Sequence, residues 1–135
     1  MVPAIRVRDA AVLLGVSDDT VRRWIDAGTL PSFKDESGRK VIAGEVLAEF
    51  AREQACPPPD PLGVGSSARN RFTGLVTRVT ADTVMCEVQL QCGPFTVVSL
   101  MSSASAQQLG LRPGVIAVAV VKATTVIVET PAGTS

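Results

Sequence analysis

The chain has 135 residues, 46% of them hydrophobic, and its 13 cationic side chains balance 13 anionic ones, so the formal net charge is zero. A chain without net positive charge has no global field that attracts nucleic acid, and any contact with DNA must come from a local cluster of cations. Histidine and tyrosine are both absent. Because histidine is the commonest general acid–base group and a frequent metal ligand, the composition favours a binding protein over an enzyme or a cationic metal site.

Cysteine usage and hydropathy indicate the compartment. Cys56, Cys86 and Cys92 form an odd set without the spacing of a metal site, which suits a reducing cytosol better than a disulfide scaffold. The N-terminus carries charge and lacks the apolar stretch of a signal peptide, and no apolar run approaches the roughly 18 residues of a membrane span. The sequence therefore predicts a cytoplasmic protein without a membrane partner.

The first part of the chain, residues 5–53, is predicted to be helical with one hairpin. In the first helix, Ala10, Leu13 and Leu14 fall on one apolar face, and Gly15 supplies a tight turn after it. A second helix follows directly. The spacing thus predicts two short helices joined by a turn.

The second helix has a recognisable start, face and end. Ser17 is expected to cap it, because the hydroxyl can accept a free amide N–H of the first turn. Val21, Trp24 and Ile25 should pack on the first helix, and Gly28 should end the second one. The residues left exposed are Arg22, Arg23 and Asp26.

A hairpin over residues 30–44 comes next, with Ser37 and Gly38 at its turn, and a third helix is predicted from Glu45 to Arg52. Together with the Gly-Val-Ser, Thr-Val-Arg-Arg-Trp and Ala-Gly-x-Leu-Pro pattern, residues 5–52 resemble the helix-turn-helix of the MerR/excisionase family. That resemblance implies a second helix in the major groove of double-stranded DNA and a hairpin wing on the phosphates. The residues expected to contact DNA are Arg22, Arg23, Lys34, Arg39 and Lys40.

The module departs from the family pattern at the cap of the first helix and after the wing glycine, where the basic-aromatic run is reduced to Arg-Lys-Val at residues 39–41, and it carries no net positive charge. Arg6 stands at the position that caps the first helix, where the family often has Thr, and residues 1–55 carry eight cations against nine acids. One copy should therefore bind non-specific DNA weakly. A protein-docking role for the module stays open.

The second part of the chain is predicted to be β-structure. Ser102 or Ser103 can cap a short helix that Gly110 would end, between the third and fourth strands. Five strands with a helix in this place have the order of an OB-type barrel. The β-branched runs that give these strands are residues 72–80, 83–91, 95–101, 115–121 and 125–130.

Three short segments of this half offer donors for a tetrahedral dianion, which needs converging amide and hydroxyl groups and one or two cations. They are the SARN segment (Ser-Ala-Arg-Asn, residues 67–70), the pair Ser102 and Ser103, and the KAT segment (Lys-Ala-Thr, residues 122–124). With Leu-Gly-Leu at residues 109–111, these segments resemble the molbindin family, also called Mop or TOBE domains.

The molbindin resemblance implies an OB-like barrel that binds molybdate, and often tungstate too, at sites shared between the subunits of a homo-oligomer, most simply a hexamer. Association should set the SARN segment of one subunit against the KAT segment of another. Hydroxyls would come from Ser67 and Ser102, and positive charge or main-chain amides from Arg69 and Lys122. Ala68 and Ala123 would supply main-chain contacts. Asn70 either joins them or holds the loop by bonds to the backbone.

We therefore expect an α+β chain in two domains: a small, mainly helical winged helix-turn-helix, then a five-stranded OB-like β-barrel. The predicted domains are residues 1–54 for DNA, a Pro/Gly-rich linker at 55–66, and residues 67–135 for the oxyanion. The predicted function is a molybdate-responsive DNA-binding transcriptional regulator. Two alternatives stay open: a molybdate storage or buffer protein with a docking module, and a ligand-independent architectural DNA binder.

Overall fold

A computed structural model describes residues 3–131 of the chain, which divides into two compact units, Met1–Pro57 and Pro58–Ser135. The first unit is mainly helical and the second is built on an antiparallel sheet, so the expected α+β fold class is confirmed. Among the described residues, no helix combines the length and the apolarity needed to cross a membrane.

The N-terminal unit joins three helices to a small antiparallel sheet. Its elements are β1 (Ala4–Arg6), α1 (Val7–Leu14), α2 (Asp18–Asp26), β2 (Phe33–Lys34), β3 (Lys40–Ala43) and α3 (Gly44–Gln54). The expected hairpin is β2 with β3, and β1 lies on the other side of β3. The sequence does not predict β1, because three residues are too few to show an alternating pattern. It pairs with β3 so that Ile5 lies opposite Ile42.

Helix α2 begins where the sequence predicts. The Ser17 hydroxyl oxygen accepts the N–H of Thr20 at 3.1 Å, and Asp18 and Asp19 occupy the first turn, where the helix dipole favours anions. Gly15 ends α1 in the left-handed conformation, at φ 70°. Local signals therefore fix the turn between the two helices.

The core of this unit lies between the helices and the sheet. Its buried residues are Val7, Ala10, Ala11, Val21, Leu30, Ile42, Leu47 and Phe50. Trp24 packs edge-on against Phe50, with ring centroids 5.0 Å apart. The expectation for Leu13 is wrong, because this side chain is 70% exposed. The face that α1 turns to the core runs from Val7 to Leu14 at spacings of three and four residues, and Leu13 falls beside it.

The C-terminal unit is a curled antiparallel sheet that resembles an OB-like fold. Its elements are β4 (Asn70–Ala81), β5 (Met85–Cys92), β6 (Phe95–Ser102), α4 (Ser103–Gln108) and β7 (Ile116–Val121). The strand order is β6-β5-β4-β7, with a register shift in β4 between Val76 and Arg78. The expected helix between the third and fourth strands of this sheet is present, and Ser102 caps it by accepting the N–H of Ser105 at 3.1 Å.

The expected fifth strand is absent from the described part of the C-terminal unit. Residues 125–130 follow β7 through a 3-10 turn, Ala123–Thr125, and form no strand. Ile127 and Val128 are each 83% exposed. Their β-branched side chains favour extended backbone, but a strand also needs a neighbouring edge to pair with, and sequence pattern alone does not supply one.

The small core of this unit contains Val76, Cys86, Val88, Leu90, Cys92 and Ala106. At Gly74 the backbones of β4 and β5 approach so closely that an added Cβ would lie 2.5 Å from the Gln91 carbonyl oxygen and 2.6 Å from Cys92 Sγ. Burial raises the pKa of the Cys92 thiol. Because of the close approach of β4 and β5, glycine at position 74 is a packing requirement of the sheet.

Candidate functional site

The SARN and KAT segments leave the C-terminal sheet at the same end. Strands β4 and β7 are antiparallel, and Asn70, the first residue of β4, lies opposite Val121, the last residue of β7. The residues that precede Asn70 therefore start beside the residues that follow Val121. Two of the three segments predicted to bind an oxyanion thus lie together within one chain, whereas the sequence predicts that the SARN segment of one subunit meets the KAT segment of another.

The Asn70 side chain fastens this junction. Its Nδ2 donates a hydrogen bond to the backbone oxygen of Val121 at 3.1 Å, and the residue is half-buried. This bond ties the end of the SARN segment to the residue that precedes the KAT segment. It supports the anchoring role for Asn70 among the two roles that the sequence leaves open.

Short turns shape both segments. Thr125 donates to the Lys122 carbonyl oxygen twice, from its N–H at 3.0 Å and from Oγ1 at 2.8 Å. On the other segment, the N–H of Ala68 donates to the Ser66 hydroxyl at 3.1 Å. Ser67 and Ala123 are exposed beside these turns. Each segment thus has a local hydrogen bond that holds its backbone in a turn.

The junction carries two cations without a countercharge. Arg69 and Lys122 are exposed, and neither forms an ion pair with any residue in the range 3–131. The nearby Arg71 is different, because its Nε lies 2.6 Å from Asp60 Oδ2. Arg71, together with the N–H of Leu62, holds the pKa of the Asp60 carboxyl below its ordinary value. A residue of the predicted linker therefore binds β4 and neutralises Arg71.

Ser102 is not brought to this junction. It lies opposite Met85, and its neighbour Ser103 donates from Oγ to the carbonyl oxygen of Asp82, which directly follows β4, at 2.7 Å. Ser102 therefore lies near the end of β4 that Asp82 follows, whereas Asn70 begins β4 at the opposite end. The Ser102 hydroxyl also donates its proton to Ser105 Oγ at 2.8 Å. A hydroxyl has one proton to donate, so Ser102 would have to break this bond to bind an anion.

In the N-terminal unit, α2 exposes both arginines that are predicted to contact DNA. Arg22 and Arg23 are exposed, while Val21 beside them is buried. One guanidinium nitrogen of Arg23 donates to Thr20 Oγ1 at 3.1 Å. Both charges therefore lie on the solvent side of the second helix, as the helical spacing predicts.

The wing hairpin is built by Asp35. Its Oδ1 accepts the N–H groups of Ser37 and Arg39, each at 2.9 Å. The pairing of β2 with β3 then places Lys34 directly opposite Lys40. Two like charges that face each other across strands repel, so this pair does not serve the stability of the hairpin.

Cations from four parts of the N-terminal unit border one surface hollow of about 310 Å³. We call it the basic hollow; its charged lining residues are Arg6, Arg8, Asp18, Arg22, Arg39 and Lys40. The predicted residues Arg23 and Lys34 do not line it. Arg6 and Arg8 are not among the residues that the sequence predicts to contact DNA. The signal that could have marked them is a cation at the start of a helix, where polar or acidic residues are favoured.

Comparisons with known proteins identify both units. Residues 5–55 match the helix-turn-helix domain family, and residues 66–128 match the TOBE domain family. No curated protein gives a significant match.

Among solved structures, the chain is similar to a molybdate binding protein from Sporomusa ovata, with 28% identity over 50% of this chain and 100% of that one and a TM-score of 0.48. It is also similar to MopII from Clostridium pasteurianum, with 34% identity over 49% of this chain and 100% of that one and a TM-score of 0.46. The two domain families expected from the sequence are confirmed: the chain belongs to the TOBE-domain proteins and carries a helix-turn-helix domain before that domain.

Proposed function

We propose that this protein is a cytoplasmic, molybdate-binding transcriptional regulator of molybdenum homeostasis that binds double-stranded DNA and also accepts tungstate. The observation that carries the proposal is the pairing of Asn70 with Val121, which sets the SARN segment beside the KAT segment. The molbindin resemblance rests on these two segments. The three thiols, all free, suit a reducing compartment.

The chemistry of the junction fits a tetrahedral dianion. Arg69 and Lys122 supply two positive charges that no described residue compensates, and charge-assisted hydrogen bonds to an oxyanion are stronger than neutral ones. Ser67 adds a hydroxyl, and the small side chains of Ala68 and Ala123 let the anion approach backbone N–H groups. Asn70 holds the two segments together.

If the Ser102 hydroxyl binds the same anion as the SARN and KAT segments, the site requires a second chain. Because Ser102 and Asn70 lie at opposite ends of β4, a site that includes both must be completed by another subunit. We therefore include a homo-oligomer, with the hexamer of the molbindin resemblance as its form. Exposed apolar side chains on the C-terminal unit support association; they include Leu100, Leu109, Ile116, Ile127 and Val128.

Calorimetric titration of the full chain with molybdate tests the ligand. We expect tight binding, little competition from sulfate, and a loss of at least tenfold in affinity when Arg69→Ala is combined with Lys122→Ala. Arg78→Ala is the matched control, because Arg78 is an exposed cation of β4 away from the junction. Equal affinities for sulfate and molybdate, or an effect as large in the control, would contradict the proposed site.

Titration of DNA in the presence and absence of molybdate tests regulation. If molybdate changes the affinity for DNA, DNA must change the affinity for molybdate by the same factor. A storage or buffer protein would bind molybdate without this coupling. The near balance of charge in the N-terminal module, eight cations against nine acids in residues 1–55, is the observation that keeps this alternative open.

The assignment of α2 is tested by Arg22→Ala together with Arg23→Ala. We expect weaker binding to DNA, a salt dependence reduced by about two contacts, and unchanged binding of molybdate. Arg52→Ala is the control, because Arg52 is an exposed cation of α3 that pairs with Glu49. An unchanged affinity for DNA would assign the module to a protein partner.

A further inference from the structure

The basic hollow concentrates positive charge in a module that has no net positive charge. Five cations and one acid line it, although residues 1–55 as a whole carry one more acid than cation. The cations come from distant positions in the sequence: Arg6 ends β1, Arg8 lies in α1, Arg22 in α2, and Arg39 and Lys40 in the wing. Folding therefore assembles a charge cluster that no single segment contains.

Three of the five cations have no partner in the described chain. Arg39 lies 3.9 Å from Asp35, and Lys40 lies 3.7 Å from Asp26. Both cations of these pairs are exposed, so the pairs contribute little to stability. Arg6, Arg8 and Arg22 form no ion pair with any residue from 3 to 131. Their guanidinium groups are thus left for a ligand.

Arg6 and Arg8 also stand where the fold disfavours them. Arg6 occupies the N-cap of α1 and makes no capping hydrogen bond with its side chain, whereas Ser, Thr, Asp or Asn would stabilise this position. Arg8 follows in the first turn, where the helix dipole repels cations. Neither side chain therefore serves the stability of α1, and its charge needs another explanation.

We propose that Arg6, Arg8 and Arg22 bind backbone phosphate of DNA in the basic hollow, beside α2, the helix expected to enter the major groove. The inference rests on the proposed DNA-binding function and adds two residues to its interface. A guanidinium group matches phosphate oxygens with two parallel hydrogen bonds. Phosphate contacts fix the position of a protein on the duplex without reading its sequence. This site thus orients α2 in the groove.

The test uses the full chain and a mixed-sequence duplex, with affinity measured at several salt concentrations. The variant combines Arg6→Gln with Arg8→Gln, and Arg52→Gln is the matched control. We expect the variant to lose about tenfold in affinity near 0.1 M salt and to reduce the slope of log affinity against log salt by about two, with no change in sequence preference. The control should leave both unchanged.

The melting temperature of the N-terminal unit provides a second readout, which separates a role in DNA binding from a structural role. Because the two cations stand at the positive end of α1, Arg6→Gln with Arg8→Gln should leave the melting temperature of the N-terminal unit unchanged or raised while DNA binding falls. If this variant is destabilised, the salt slope of DNA binding is measured instead on Arg6→Lys with Arg8→Lys, because this second variant keeps both charges. The proposal then expects the wild-type salt slope, and a slope reduced by two would overturn it.

The remaining outcomes separate this inference from the function on which it rests. If Arg22→Ala with Arg23→Ala weakens DNA binding but the Arg6 and Arg8 variant does not, the hollow is not a phosphate site, although the module still binds DNA. If the wild-type chain binds no DNA, both proposals fail. If inorganic phosphate fills the hollow at millimolar concentration and DNA does not compete, the ligand is a free anion and the DNA assignment is overturned.

Discussion

The two units of the chain differ in how completely each one buries its own apolar surface. In the N-terminal unit, every helix and the sheet contribute to one core, and Val12, Leu13 and Phe33 are its exposed large apolar side chains among the described residues. The C-terminal unit is larger but has the smaller buried core. Within residues 58–131, its sheet also ends in two edge strands, β6 and β7, each of which pairs with a neighbour on one side.

This difference indicates that the two units reach stability by different routes. A small helical unit whose three helices pack on one sheet can close a core alone, whereas an open sheet with exposed apolar edges gains by association. The residues that the C-terminal unit leaves exposed include the whole of the expected fifth strand. The comparison therefore predicts that changes on this surface alter assembly, and that changes in the core and caps of the N-terminal unit lower the stability of that unit without altering assembly.

The largest expected effect is on assembly. Ile127→Asp combined with Val128→Asp should dissociate the proposed oligomer, because charges at an apolar interface oppose burial. In a monomer, both substitutions would lie on the exposed surface and change stability by no more than about 0.5 kcal/mol. Light scattering of the full chain distinguishes these cases, with Thr130→Asp as the control. An unchanged particle mass would show that residues 127 and 128 lie outside any interface.

The next effect is on the packing of the sheet. Gly74→Ala places a methyl group against the Gln91 carbonyl oxygen and Cys92 Sγ, so it should lower the free energy of unfolding of the C-terminal unit by about 1–3 kcal/mol. Denaturant unfolding measures this change. Gly65→Ala is the control, because nothing lies within 4 Å of an added Cβ there. Equal stability of the two variants would mean that β4 and β5 separate at no cost.

A smaller effect is expected at the cap of α2. Ser17→Ala removes the acceptor of the Thr20 N–H and should destabilise the N-terminal unit by about 1 kcal/mol. Thermal unfolding followed by circular dichroism measures it, and the change should not reach the C-terminal unit. Ser32→Ala, at an exposed serine outside the helices, is the matched control. A loss in both units would contradict their independence.

The smallest expected effect is an acid dependence of the C-terminal unit. Asp82 accepts the N–H groups of Val84 and Met85 at 2.8 and 2.7 Å, and these bonds lower the pKa of its carboxyl. Because the folded pKa is lower than the unfolded one, the contribution of Asp82 is present above the ordinary value of 3.8 and is lost as pH falls through the folded pKa. Denaturant unfolding of Asp82→Asn between pH 6 and pH 3 should show a weaker decline than wild type.

Local signals in the sequence predict local structure well. The cap at Ser17, the turn at Gly38 and the cap at Ser102 each depend on a few neighbouring residues, and the structure has all three. Strand β1 and the missing fifth strand depend on pairing partners, which no short segment encodes. The separation of Ser102 from Asn70 likewise follows from the length and direction of β4.

The candidate binding residues divide in the same way. Motif resemblance identifies the SARN and KAT segments, but only strand pairing shows that they meet within one chain. The sequence pattern of α2 does not indicate Arg6 or Arg8, because only tertiary folding brings these two residues near Arg22. Their unfavourable place at the start of α1 is the feature that sequence reasoning could use in another chain.

The pairing of β4 with β7 also has a consequence for folding. Strands β4, β5 and β6 pair in chain order through short turns, whereas the bond between Asn70 and Val121 spans 51 residues. Contacts between distant residues are costly to close, so we expect β7 to dock after the other three strands. The SARN and KAT segments meet only at that last step. A ligand held between the two segments would bind only the fully folded state of the unit. It would therefore protect β7 against local unfolding.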